Sequence, residues 1–440
     1  MQTSHPENHG SHQSRYSASD APSEVAPGEI AVGVVIGRAS EYFDFFVYGI
    51  ASVLVFPSVF FPFMGKLEGT LWSFAIFALA FISRPVGTIV FMWIQKRWDR
   101  GTKLTAALFL LGSCTAGIAF LPGYGTWGIY SIVLLALFRL GQGAALGGSW
   151  DGLPSLLALN APDHRRGWYA MMGQLGAPVG FIIAASLFAY IHSSLSAADF
   201  LDWGWRYPFF AAFAINVVAL FARLRLVLTH EYERELGEHE LEPVSVVDLF
   251  RHKGRHVVIG AAAALASYAL FHVVTIFPLS WILLYSDQSV SQFLVVQIIG
   301  GFLCAGSVML SGVIADKLGR TRTLAALAAG IAMFSGFAPT LMGAGDLGQD
   351  IFVLIGFVLL GFSYGQAAGS VTANFGAKYR YTGAALTSDL AWLIGAAFAP
   401  LIVLGLCAQF GLAMVGVYLL SGAVCTMIAL GANYYLKLQN

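Results

Sequence analysis

The residues of this chain that could do chemistry are the ionisable side chains set inside long apolar runs. A charge in lipid costs free energy, so each one that persists there is a candidate for function or for a specific partner. Arg38, Glu41 and Asp44 recur every three residues in the first such run, and Tyr48 continues their stripe. At about 100° per residue they cover about a third of a helix. Glu41 and Asp44 fall near the middle of the run, where a carboxylate can take up and release a proton. The competing reading is a structural Arg38–Glu41 pair. Arg139 lies mid-run with Gln142 one turn on, and a mid-membrane guanidinium needs a partner or an anionic ligand. Arg139, Tyr48, Gln142 and Asn374 are therefore candidate substrate contacts. Asn374, with Gln174, Asn216, His272, Gln297 and Gln366, is also open to an interhelical hydrogen bond.

Arg84 precedes Pro85, whose missing N–H frees a backbone carbonyl. Its readings are a structural contact to that carbonyl and a gating charge. Asp151 and Asp389 lie in the fourth and eleventh runs. For both, a gating pair with Arg38, Arg84 or Arg139 and a substrate contact are equally open.

No other chemistry is legible. No Gly-Lys-Ser/Thr phosphate loop is present, so the chain has no means of energising itself with ATP. No nucleophile–base pair and no metal-ligand spacing stands out. Cys114, Cys304, Cys407 and Cys425 sit in apolar runs and read as buried thiols. The chain does not read as an enzyme, and no cofactor or metal is expected.

Composition explains what positions these groups. Hydrophobic residues make up 57% of the 440 and charged residues only 11%, against about 25% charged in a soluble domain. Basic and acidic residues balance at 24 each, which leaves no field for nucleic acid. What remains is a polytopic protein whose surroundings are the lipid bilayer. Apolar runs near 30–55, 69–93, 104–121, 127–157, 168–191 and 205–226 precede a polar stretch, and runs near 256–284, 291–314, 323–342, 351–374, 381–407 and 411–436 follow it. The pattern predicts twelve transmembrane helices in two six-helix halves, 30–226 and 256–436. Residues 1–29, with His5, His9 and His12, predict a disordered cytoplasmic tail. Residues 227–255 predict a cytoplasmic middle loop with a short surface helix at 244–252. The first run is too long for a cleaved signal and predicts a retained span. Trp127, Trp203 and Trp205 are expected as interfacial anchors.

Lys96, Arg97, Arg100 and Lys103, then Arg165 and Arg166, Lys317, Arg320 and Arg322, and Lys378 and Arg380 cluster between alternate runs. That bias puts both termini and the even-numbered loops in the cytoplasm. The segment Gly312 to Leu324, shifted back by 220 positions, falls on Met92 to Leu104, where Ile94, Arg100 and Leu104 match Ile314, Arg320 and Leu324. Such duplication marks secondary transporters, which bind substrate between the repeats near the midplane.

The six-plus-six pattern and Asp316-Lys-Leu-Gly-Arg320 resemble the major facilitator superfamily. Glu41-Tyr-Phe-Asp-Phe-Phe-Val-Tyr-Gly49, Arg84-Pro-Val-Gly87, Arg139-Leu-Gly-Gln-Gly143, Ala161-Pro-Asp-His-Arg-Arg-Gly167, Trp203-Gly-Trp-Arg-Tyr-Pro208 and Arg380-Tyr-Thr-Gly-Ala384 are similar to its metabolite:H⁺ symporter branch. The resemblance implies import of organic acids, betaines or amino-acid-like solutes with protons, and it adds Asp316 and Arg320 as gate candidates. Lys96 stands where the family's loop motif has an acid, Ser149 where its fourth span has a carboxylate, and Ser388-Asp389 where the eleventh usually has Tyr-Asn. The expected function is proton-coupled symport of a small polar metabolite, working as a monomer in the cell inner membrane. An uncoupled facilitator and a transport-incompetent sensor are the alternatives.

Overall fold

In the computed structural model the described residues are 27–149, 163–227, 242–372 and 375–437. The protein is an all-helical membrane protein. Eleven helices among the described residues are long and apolar enough to cross a bilayer. The first long helix, α1 (Pro27–Leu54), has the length but carries Arg38, Glu41 and Asp44. It is followed by α2 (Lys66–Arg97), α3 (Arg100–Phe120), α4 (Ile129–Gly148), α5 (Arg166–Ser194) and α6 (Arg206–Val227). The second set is α7 (Leu265–Tyr285), α8 (Val290–Leu318), α9 (Arg320–Gly343), α10 (Gly345–Thr372), α11 (Lys378–Phe410) and α12 (Ala413–Lys437). Asp151, Asn374, the tail through residue 26 and the connector at 228–241 lie outside the described residues.

Close helix contacts come from glycine. A Cβ on Gly143 would strike the Ala80 carbonyl and the Ser83 side chain, and one on Gly147 the Arg84 carbonyl and the Thr88 backbone. On α2, Gly87 lies against Ala144 of α4 in the same way. α2 and α4 therefore touch backbone to backbone, as small residues allow in lipid.

Helix breaks follow local chemistry. α7 breaks at Ile276 and restarts with Pro278 in its first turn. Pro278 has no N–H for the Val274 carbonyl. Gln297 of α8 donates to the carbonyls of Val274 at 3.5 Å and Thr275 at 3.0 Å, supplying the lost donor. A wide π turn, Trp392–Ala396, interrupts α11 before Ala399–Phe410 restarts with Pro400 in its first turn.

Three expectations need correction. The short surface helix placed at 244–252 is the start of a longer helix, Val246–Ala263, that leads into α7. Ser245 precedes it, and its apolar side (Leu249, Val257) packs on Phe375 and Leu386. Trp205 is fully buried, edge-on to Phe56, Phe60 and Phe209, and its Nε1 donates to the Leu201 carbonyl. Only Trp127 and Trp203 of the three are exposed. Cys425 is exposed, whereas the other cysteines are buried. An apolar run marks a helix as membrane-bound but does not say which face meets lipid.

Candidate functional site

Asp44 sits where α1, α3, α4 and α6 converge. Thr115 donates to its Oδ2 at 2.7 Å, Asn216 to the same oxygen at 3.0 Å, and Gln142 to Oδ1 at 3.3 Å. Gln142 also donates to Thr115 at 2.9 Å, closing the network. All four side chains are buried. In these three bonds the carboxylate meets only neutral donors.

Arg139, one turn before Gln142, is 1% exposed. Its Nε donates to the Phe77 carbonyl at 3.2 Å and its Nη1 to Gln142 Oε1 at 3.1 Å. The guanidinium lies 4.0 Å from the Tyr48 ring centroid, 4.7 Å from Phe77 and 5.6 Å from Phe45. A chain of hydrogen bonds therefore runs Arg139–Gln142–Asp44, with one amide separating the buried opposite charges. Arg139 Nη2 and the Tyr48 hydroxyl have no protein partner. These are a free donor and a free hydroxyl beside a buried cation, which is the chemistry that holds a carboxylate.

The stripe expected for Arg38, Glu41 and Asp44 splits. Arg38 pairs with Glu41 at 2.8 Å, on the wall of a small cavity that Arg84, Tyr42, Phe45 and Trp392 also line. Asp44 turns away into the α1–α6 interior. The spacing of about 300° per three residues fans the stripe enough for its ends to face different neighbours.

Arg84 of α2 and Asp389 of α11 meet across the two sets, Nε to Oδ1 at 2.7 Å, with side chains 11% and 4% exposed. The contact is an ion pair rather than an aligned hydrogen bond, and Thr88 donates to the other carboxylate oxygen at 2.5 Å. Arg84 also lies 5.9 Å from the Trp392 ring. Its predicted contact to the carbonyl freed by Pro85 is replaced by this ion pair.

The gate candidate Asp316, at the end of α8, accepts from the N–H groups of Gly167 at 2.6 Å and Trp168 at 3.1 Å. It thus caps the first turn of α5 with a negative charge, where the helix dipole favours one. Arg320 follows one turn later and opens α9. The matching junction between α3 and α11 is built differently. Buried Lys103 donates to the Tyr381 hydroxyl at 2.7 Å and to Gln95 Oε1 at 3.2 Å, and Tyr381 donates to Gln95 at 3.1 Å.

Sequence reasoning missed several of these partners. Thr115 and Thr88 are small polar residues that carry no signal inside a helix. Lys103 looked like an ordinary loop charge. His272 was one of several buried neutrals, yet it is fully buried among aromatic rings between the two sets, with neither ring nitrogen partnered by the protein. Beside it, Tyr42 of α1 and Tyr364 of α10 share a short hydrogen bond across the same interface.

A family model described as Major Facilitator Superfamily matches residues 123–400. The chain is 34% identical over 411 residues to the inner membrane metabolite transport protein YhjE of Escherichia coli (strain K12), covering 91% of this chain and 93% of that protein. It is 30% identical over 409 residues to the shikimate transporter of the same organism, covering 90% and 91%. The crystal structure of a D-xylose–proton symporter superimposes with a TM-score of 0.69 at 18% identity, over 91% of this chain and 97% of that one. At that identity the likeness is one of fold.

Proposed function

The chain belongs to the major facilitator superfamily and is a membrane transporter rather than an enzyme, and on that premise we propose that it is a proton-coupled symporter of a small organic acid. In this reading α1 completes a set of twelve spans, α1–α6 and α7–α12 form two six-helix halves (30–226 and 256–436), and a cytoplasmic connection at 227–255, ending in the first turns of the helix Val246–Ala263, joins them. The basic loops put both termini in the cytoplasm. The protein works as a monomer in the inner membrane. Likeness to proteins named a metabolite transporter and a shikimate transporter supports the substrate class.

The observation that carries the reading is the buried Arg139–Gln142–Asp44 chain. Arg139 and Tyr48 take the carboxylate of the substrate. Asp44 then faces a cation already neutralised by that anion, and a proton on Asp44 restores balance. Anion and proton therefore bind together, and their joint binding favours the same state, which is the condition for symport. Glu41 is the weaker proton site because Arg38 already pairs with it.

Alternating access needs contacts that break on one side. Arg84–Asp389, Asp316 on the α5 N-terminus, and Lys103–Tyr381 bridge the halves toward the basic end. They form the cytoplasmic gate in this reading, with Arg320 beside Asp316. The test is a pH electrode in a lightly buffered suspension of proteoliposomes. Adding a transported acid should alkalinise the outside medium. Uptake without alkalinisation would leave an uncoupled facilitator, and no uptake of any acid would leave a sensor.

A further inference from the structure

We propose that His272 binds a hydroxyl group of the transported acid, opposite the Arg139 guanidinium that takes its carboxylate, so that the substrate is a hydroxylated carboxylate with an apolar face. The inference rests on the carboxylate reading of Arg139 and names the rest of that site.

His272 is fully buried, and neither Nδ1 nor Nε2 has a protein partner. Buried polar groups are as a rule hydrogen-bonded. The packing gives no reason for a histidine here. Its ring stacks on Phe45 at 5.3 Å and meets Phe77 at 5.2 Å, Phe271 at 5.2 Å and Phe81 at 5.9 Å edge-on, with Trp392 at 6.2 Å. A phenylalanine would fill the same space and leave nothing unsatisfied.

The position relative to Arg139 is informative. Both groups lie against Phe45 and Phe77, His272 from α7 and Arg139 from α4. A ligand reaching both would join the two sets of helices. Neutral imidazole offers one donor and one acceptor. That pair matches a hydroxyl, which also gives and accepts. A carboxylate only accepts, and it finds donors in Arg139 Nη2 and the Tyr48 hydroxyl, both without a protein partner. Phe45, Phe81 and Trp392 touch His272 and also wall the cavity, so rotation of these rings opens the cavity onto it. The same rings provide a flat apolar surface for the carbon skeleton.

The experiment measures binding to the purified full-length protein by calorimetry with two probes. Shikimate is a cyclohexene carboxylate with ring hydroxyls; cyclohex-1-ene-1-carboxylate has the same ring and acid without them. The wild type should bind shikimate at least tenfold more tightly, a difference of about 1.4 kcal/mol. His272→Phe should bring the two probes within about twofold by weakening shikimate alone, its retained binding of the other probe showing that it is folded. His272→Gln, which keeps a donor and an acceptor, should restore part of the preference. Equal binding of both probes by the wild type, or an undiminished preference in His272→Phe, overturns the assignment of His272 while leaving the carboxylate reading intact. Binding of neither probe overturns both.

Discussion

Buried Arg84 and Arg139 carry the sharpest consequences, because Arg84 rests on the Asp389 carboxylate and Arg139 on the Phe77 carbonyl and Gln142. Removing one partner of a buried ion pair leaves an uncompensated charge and costs about 3–5 kcal/mol. Asp389→Asn should therefore weaken closure at the basic end. A cysteine placed at Leu146, on the cavity wall, in a background without native cysteines, should label faster from that end than in the parent. Equal labelling would remove Arg84–Asp389 from the gate. At the Asp44 site, Gln142→Leu cuts the link between Arg139 and Asp44, and leaving buried polar groups unpaired costs about 1–3 kcal/mol. Substrate uptake should fall by tenfold or more, and uptake near wild type would show that the chain is not used. Charges inside apolar runs are conspicuous, which is why Asp44, Arg139 and Asp389 could be picked out from sequence. Thr115, the partner of Asp44, and Thr88, the partner of Asp389, could not, because a hydroxyl in a helix can always bond its own backbone. The different surroundings of Glu41 and Asp44 also needed coordinates, since residues three apart fan across two environments.

Between elements, glycine decides how closely α2 and α4 approach, and so where Arg84, Thr88 and Arg139 stand. Gly147→Val would press a side chain into the Arg84 carbonyl and Thr88. Overpacking of this kind costs about 1–3 kcal/mol, so the melting temperature in detergent should fall. Gly306→Ala is the control, because a Cβ there meets nothing within 4 Å; it should leave the melting temperature unchanged or higher. Equal melting of both variants would contradict the packing argument. The helix Val246–Ala263 is tied down at its exposed start, where Tyr379 donates to Asp248 at 3.0 Å and Lys378 lies 3.3 Å away. The Tyr379 hydroxyl, then Lys378, hold the Asp248 carboxyl below its ordinary range. That stabilisation is present above the unfolded value of about 3.9 and is lost as pH falls through the lower folded value. Amide exchange at 246–252, corrected for intrinsic rate, should rise only below about pH 4 and should rise at neutral pH in Asp248→Asn. Helix positions were largely readable from apolar runs. The continuation of the predicted surface helix at 244–252 as far as Ala263 was not, because the basic stretch from Arg251 to His256 matches the composition of a loop.

Across the whole molecule a sequence repeat at a shift of 220 relates the two sets of helices, yet their contacts at the basic end differ in chemistry. Asp316 caps α5 in one junction, while Lys103, Gln95 and Tyr381 make the other. Sequence alone registered the second junction as a motif lost at Lys96 and had no means of seeing what replaced it, since Tyr381 lies 278 residues from Lys103. Symport in this protein turns on a proton on Asp44 accompanying the anion on Arg139 in the proposed mechanism. The most direct measurement is gradient-driven accumulation of labelled shikimate in proteoliposomes with an imposed inward proton gradient, comparing the wild type with Asp44→Asn. The wild type should concentrate the acid above the outside level, and Asp44→Asn should bring it only to equilibrium. Accumulation by Asp44→Asn to the wild-type level would contradict this mechanism.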